Sequence, residues 1–453
     1  MNNQRMHANR RLSRRDFLHL SGVAMGTFVV AGCTAVNLPA PDAEEGAVPA
    51  EEKVILRLQN WFSEGDIGAW QIGLDATTEA YPNTEIKLEY NSYGETAVKI
   101  MAEAAAGNMP DLIMASNEHT PILSTNLLLM DLNPYIDRDD DVNPDDFAAG
   151  VSQGFHMWGR WWGFPYDHST YAVYYNKGMF DDAGVPYPPS EGEPWTMNEF
   201  VETAQALTKP DGEQWGVWFP PLSQYLDSCF IYSAGGRNFD DELRHCIIGS
   251  DEAAAGLQHL VDLIHVHKVA PTRAELAGGN IDYFASGLAA MHINGQWDLL
   301  GKNQTSDFDF DIGYLPIVDE KRTVTGGSGF CISTSTEHPD EAWDWLKLFT
   351  SGDVLADMVG RTGRGIPARW SATSAYLEAG GKAENPGVFI EQLQWSFNDR
   401  SVLAFFEFVD SYNRHLESIF DTGEGSIVDA LITIQDETNV AMDEKWADVL
   451  LDI

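Results

Sequence analysis

The sequence predicts an α/β protein with two or more domains. Three observations carry that prediction. At 453 residues the chain is long enough for more than one hydrophobic core. Its hydrophobic content of 44% is that of a folded protein. Between residues 54 and 114, strand-like and helix-like patterns alternate, the arrangement that gives a parallel sheet with right-handed crossovers.

Charge narrows the function classes. Twenty-eight basic residues stand against 69 acidic ones, a formal net charge of −41. So acidic a surface argues against a broad basic patch for nucleic acid or anionic lipid headgroups. It fits a solvated, self-repelling exterior.

Residues 1–33 read as a targeting segment rather than as part of the fold. Ser13-Arg14-Arg15-Asp16-Phe17-Leu18 resembles the twin-arginine export motif. The apolar run that follows is too short and too rich in Gly and Ser for a membrane span. It closes with Val30-Ala31-Gly32-Cys33, which resembles a bacterial lipobox. That resemblance implies a diacylglycerol on the Cys33 thiol and cleavage just before it. The mature protein is then expected outside the cytoplasm, touching the cell membrane through its lipid alone. Residues 34–52 carry Pro39, Pro41 and Pro49 among acidic residues and show no periodicity, so a disordered tether is expected there.

The first domain opens with a buried strand at 54–58. Trp61 lies just past its end, where open α/β sheets place ligand loops. Trp70, Leu74, Thr77 and Tyr81 have helical spacing. Residues 85–90 alternate as a second strand, 96–106 read as a helix stopped by Gly107, and 110–114 supply a third strand. Asn117-Glu118 follows that strand as a polar pair. Further on, Gly163 and Pro165 mark a turn, and Tyr171 to Tyr175 form an aromatic, β-branched strand. Thr196 and Glu199 form a capping box at a helix start. Residues 214–218 read as a strand with exposed aromatics, and Trp215, Trp218 and Trp395 are further stacking candidates. His259, His265 and His267 do not share a helix face, so no zinc site is expected. Apart from Cys33 the chain has Cys229, Cys246 and Cys331; spacing leaves a Cys229–Cys246 bridge open.

Several of these stretches resemble, in the same order, the extracellular solute-binding proteins of ABC transporters, in the family that includes maltose- and multiple-sugar-binding proteins. They are Ala105-Ala106-Gly107-Asn108-Met109-Pro110-Asp111-Leu112, Met130-Asp131-Leu132-Asn133-Pro134-Tyr135 and Gly163-Phe164-Pro165-Tyr166-Asp167 with Tyr174-Tyr175-Asn176-Lys177. Phe284 to Met291 with Asn294-Gly295-Gln296-Trp297, Asp311 to Pro316, Gly326-Gly327-Ser328-Gly329, Gly360 to Pro367 with Arg361 and Arg364, and Gly423 to Ile434 follow in turn.

The resemblance implies a two-lobed, periplasmic-binding-protein type II-like fold, each lobe a mainly parallel sheet flanked by helices. Lobe 1 would comprise 53–166 and 325–380, and lobe 2 would comprise 167–324 and 381–453. Hinge crossovers are expected near 166–170 and 325–329, with a third near 375–390. The implied function is a receptor that binds a carbohydrate between its lobes and delivers it to permease subunits of an importer, as a monomer, without cofactor, metal or catalysis. The expected site is Trp61, Tyr166 and Trp297 as stacking residues, with Asn117, Glu118, Asp167, Ser328 and Arg364 taking hydroxyls. The alternatives are capture of another solute such as a polyol or ferric iron, the latter through Tyr174-Tyr175, and a glycoside hydrolase, for which no motif appears.

Overall fold

The computed structural model describes residues 53–62, 64–278 and 281–450. The targeting segment with Cys33, and the tether up to residue 52, lie outside the described residues.

The alternation at the start of the described chain becomes strand β1 (Val54–Asn60), helix α1 (Ile67–Ala80), β2 (Thr84–Tyr90), α2 (Thr96–Ala105) and β3 (Leu112–Ser116). Helix α1 turns Ala69, Trp70, Gly73 and Thr77 inward, at the three- and four-residue steps of one helix face. Gly107 ends α2 with φ of 68°, a conformation that costs glycine nothing. β1 pairs in parallel with both β2 and β3.

The second half of the framework is β4 (Phe164–Pro165), β5 (Tyr171–Asn176), α3 (Met197–Leu207), β6 (Trp215–Trp218), α4 (Gln224–Ser233), α5 (Asp251–His265), β7 (Ala289–Gly295), β8 (Phe310–Gly313) and β9 (Ser328–Ile332). It closes with α6 (Pro339–Phe349), α7 (Phe405–Thr422) and α8 (Ile427–Ala447). The capping box at Thr196 and Glu199 forms as expected at the start of α3. Ser426 likewise caps α8, accepting from the Asp429 N–H.

These strands make two main sheets, one per lobe. The first has the order β2-β1-β3-β9-β4, the second β8-β5-β7-β6. The expectation of mainly parallel sheets is corrected: β9 runs antiparallel to β3 and β4, and β5 runs antiparallel to β7 and β8. The reason is connectivity. Parallel neighbours arise where a helix returns the chain to the same edge direction, as from β1 to β3. β9 instead enters its sheet from the other lobe, and so arrives the opposite way.

Each sheet has its own core. Leu58, Leu112, Phe330, Trp343 and Phe349 belong to the first. Val173, Phe230, Leu260, Ile293, Phe408 and Leu431 belong to the second, so α7 and α8 pack on lobe 2. A third cluster joins Tyr174, Phe310 and Ile312 to Tyr376 and Phe389, residues of the stretch expected to cross between lobes.

Between the cores, three stretches run side by side. The Tyr166 N–H donates to the Ser328 carbonyl at 2.8 Å, the Ser169 N–H to the Gly326 carbonyl at 2.9 Å, and the Ala368 N–H to the Tyr166 carbonyl at 3.0 Å. A Cβ on Gly327 would sit 2.1 Å from the Asp167 carbonyl oxygen. Glycine is therefore required here by close approach of two backbones.

Cys229, Cys246 and Cys331 are buried free thiols, so the bridge that spacing left open is not made. The predicted exposure of the β6 aromatics is also corrected. Trp215 and Trp218 are half-buried, and Trp218 stacks on His292 at 4.2 Å. Among the described residues no helix is long and apolar enough to cross a membrane.

Candidate functional site

The ends of β1, β2 and β3 and the crossover backbones face the second lobe across a cavity of about 440 Å³. Trp61 and Tyr93 lie just past their strands and open onto the crevice, while Ser116 still pairs with Ser328 at the end of β3. Lobe 1 and the crossovers contribute Trp61, Asp66, Tyr93, Ser116, Tyr166, Asp167, Ser169, Gly327, Ser328 and Arg364, and the facing wall contributes Tyr171, Ser223, Tyr225, Trp297 and Arg400.

Six of the eight expected residues meet here: Trp61, Tyr166, Asp167, Trp297, Ser328 and Arg364. Trp61 is half-buried and meets Tyr93 edge-on, with centroids 5.2 Å apart. Trp297 is held edge-on by Tyr171 at 5.2 Å and lies nearly parallel to Tyr225 at 6.2 Å. Its position explains Gly295: a Cβ there would fall 2.1 Å from the indole. Two partly exposed indoles thus reach the cavity from opposite lobes.

The expected stacking role of Tyr166 is corrected. Its ring is 1% exposed and packed against Trp70 and Phe330, so it has no free face. What it offers the cavity is its polar edge. Asn117 and Glu118 do not line the cavity; they stand behind it. Asn117 donates to the Val151 carbonyl at 2.9 Å and accepts from the Gly327 N–H at 2.7 Å, so it fastens the glycine crossover. Glu118 is 1% exposed and paired with Arg400. A polar pair after a strand end can point either way, and here both turn into the protein.

The charged members form a fixed array. Asp167 accepts the Ser328 N–H at 2.8 Å. Burial pushes its carboxyl up to about 7, against the opposing pull of Arg364 and that N–H. Arg364 lies with its guanidinium carbon 5.6 Å from the Trp70 ring centre. Its Nε is 3.1 Å from Asp66 Oδ2, close enough for ion pairing but outside hydrogen-bond geometry. Arg364 Nη1 and Arg400 Nε are buried with no acceptor among the described residues. Both side chains line the cavity, and guanidinium groups there favour an occupant that brings oxygen acceptors.

Sequence reasoning missed Asp66, Tyr93, Tyr225 and Arg400. Asp66 and Tyr93 follow the first two strands as Trp61 does, and that rule could have found them. Tyr225 and Arg400 carry no local signal. Trp215, Trp218 and Trp395 lie away from the cavity. The iron reading of Tyr174-Tyr175 loses its ligand, because the Tyr174 hydroxyl donates to the Gly295 carbonyl at 2.7 Å inside the protein. Among the described residues no group of three or more His, Cys, Asp or Glu is placed to hold a metal ion.

The family profile described as bacterial extracellular solute-binding protein matches residues 63–354. An arabinooligosaccharide-binding protein of Halalkalibacterium halodurans is 24% identical over 306 residues, 63% of this chain and 65% of that one. The chain thus spans just under two thirds of that relative's length. An ABC substrate-binding protein of Listeria monocytogenes, solved with cycloalternan, superposes with a TM-score of 0.79 at 23% identity, covering 86% of this chain and 99% of that one. UgpB of Mycobacterium tuberculosis, solved with glycerophosphocholine, gives 0.74 at 21% identity, covering 86% and 98%. These likenesses show a shared two-lobed fold.

Proposed function

This chain belongs to the bacterial extracellular solute-binding proteins, and from that premise we propose that it is the receptor of an ABC importer for a carbohydrate. The observation that carries the reading is the cavity with partly exposed Trp61 and Trp297 on opposite lobes and a ring of fixed polar groups between them. An indole covers the C–H face of a sugar ring, while Asp66, Asp167, Ser328 and Arg364 exchange hydrogen bonds with its hydroxyls. The arabinooligosaccharide- and cycloalternan-binding relatives support the same class.

Delivery follows from two lobes joined at the crossovers near 166–170, 325–329 and 375–390. Lobe 1 comprises 53–166 and 325–380, and lobe 2 comprises 167–324 and 381–453. Ligand that touches both walls gains contacts only when they close, so it shifts the population toward the closed form. The closed pair of lobe surfaces is what the permease subunits recognise, with the receptor acting as a monomer. Cys33 anchors it through lipid outside the cytoplasm. No step of this account requires catalysis.

A second reading has one observation in its favour: UgpB, with glycerophosphocholine, shares the fold. The two separate in a thermal-shift screen of mono- and oligosaccharides, polyols and glycerophosphodiesters. A ligand at one hundred times its dissociation constant adds about 2.7 kcal/mol. Stabilisation by one sugar class is the expected result. Stabilisation by a phosphodiester alone overturns the carbohydrate assignment and keeps the receptor.

A further inference from the structure

We propose that Arg400 is a ligand-binding residue that also couples occupancy to lobe closure, through a buried ion pair with Glu118. The proposal rests on the two-lobed receptor reading above.

Arg400 is anchored in lobe 2. Its neighbours Val402, Ala404 and Phe405 are buried in the second core. Asp399 beside it accepts from the Asn238 side chain at 2.6 Å. The Arg400 guanidinium carbon lies 4.2 Å from the Tyr225 ring centre and 5.2 Å from that of Phe405. Held this way, the fork reaches across the crevice. Nη2 donates to the Glu118 carboxylate, just past the end of β3 in lobe 1, and to the Tyr93 hydroxyl at 2.8 Å. It joins a buried charge of lobe 2 to a buried charge of lobe 1 beside the cavity.

The contact is also incomplete. Arg400 Nε and Glu118 Oε2 are buried with no hydrogen-bond partner among the described residues. An ion pair taken out of water gives back little net stability unless its remaining donors and acceptors are satisfied. Opening returns both charges to water. The empty closed form is therefore only weakly favoured by this pair. Arg400 lines the cavity, so a ligand oxygen that accepts from its guanidinium adds a partner to the closed pair and tips the balance toward closure. Removing one partner has a different effect: the remaining charge is stranded when the lobes close.

The test is a double-variant cycle on Arg400→Met and Glu118→Gln, with maltotriose and arabinotriose as calorimetric probes. Hydrogen exchange at residues 116–120 and 398–402 of the unliganded proteins is followed in parallel. Each single variant is expected to weaken sugar binding by about tenfold or more, and the double variant by less than the product of the two. Both segments are expected to exchange faster in each single variant than in the native protein, with the double variant between. Arg400→Lys, which keeps charge but loses the planar fork, should fall between native and Arg400→Met. Binding within twofold of native for Arg400→Met, multiplicative losses in the cycle, or unchanged exchange at both segments overturns the proposal. Should neither sugar bind the native protein, the cycle is run with the ligand that scores in the thermal screen, and the exchange result decides the clamp independently of the carbohydrate assignment.

Discussion

The two walls of the cavity are built differently. The wall made by lobe 1 and the crossovers is polar and tied to backbone: Asp167 holds the Ser328 N–H, Asn117 holds the Gly327 N–H, and three crossover stretches share hydrogen bonds. The lobe 2 wall is aromatic, with Tyr171, Tyr225 and Trp297 packed on one another and Arg400 as its charged member. Polar recognition needs groups fixed before ligand arrives, because hydrogen bonds are directional. An aromatic face tolerates small differences in approach. The division suits a receptor whose hydroxyl-reading wall stays with the crossovers while an aromatic wall swings onto the sugar.

That contrast can be broken at several points. The largest effect is expected from Gly327→Ala, whose Cβ meets the Asp167 carbonyl at 2.1 Å. Denaturant unfolding should show a loss of about 3 kcal/mol or more, with sugar binding abolished. Asp167→Asn tests how the polar wall is charged. The folded-state pKa of Asp167, about 7, lies above its ordinary 3.8. Its stabilising contribution is thus full below about pH 4 and is lost as pH rises through 7. Stability of the native protein relative to Asp167→Asn should fall by about 4 kcal/mol over that interval. The paired comparison cancels the other buried carboxyls, which are present in both proteins.

On the aromatic side, Trp297→Ala should weaken sugar binding about 30-fold, the cost of truncating a buried anchor by some 2 kcal/mol. Trp61→Ala, on the polar wall, should cost about tenfold. Equal losses would mean that both walls stack ligand and that the division is one of composition only. The smallest effect belongs to Thr196→Ala at the start of α3, away from the cavity. It should remove about 1 kcal/mol of stability and leave affinity unchanged.

Much of this was legible in the chain because it depends on local chemistry. The α1 face through Trp70 and Thr77, the stop at Gly107 and the box at Thr196 and Glu199 each follow from a few neighbouring residues. Trp61 and Trp297 were found because one follows a strand end and the other follows a glycine turn. Glu118 was misplaced because facing the cavity or facing Arg400 depends on a residue 282 positions away. Tyr166 looked like a stacking ring because nothing local reveals that Trp70 and Phe330 cover it. The direction of β9 was hidden for the same reason: it is set by the chain's passage through the other lobe.

The central claim is closure on a carbohydrate, and small-angle X-ray scattering with and without the sugar that scores in the thermal screen tests it most directly. The account predicts that the radius of gyration falls on saturation, and that Arg400→Met needs more sugar to reach the same compact form. Saturable binding with no change in the scattering curve would contradict it.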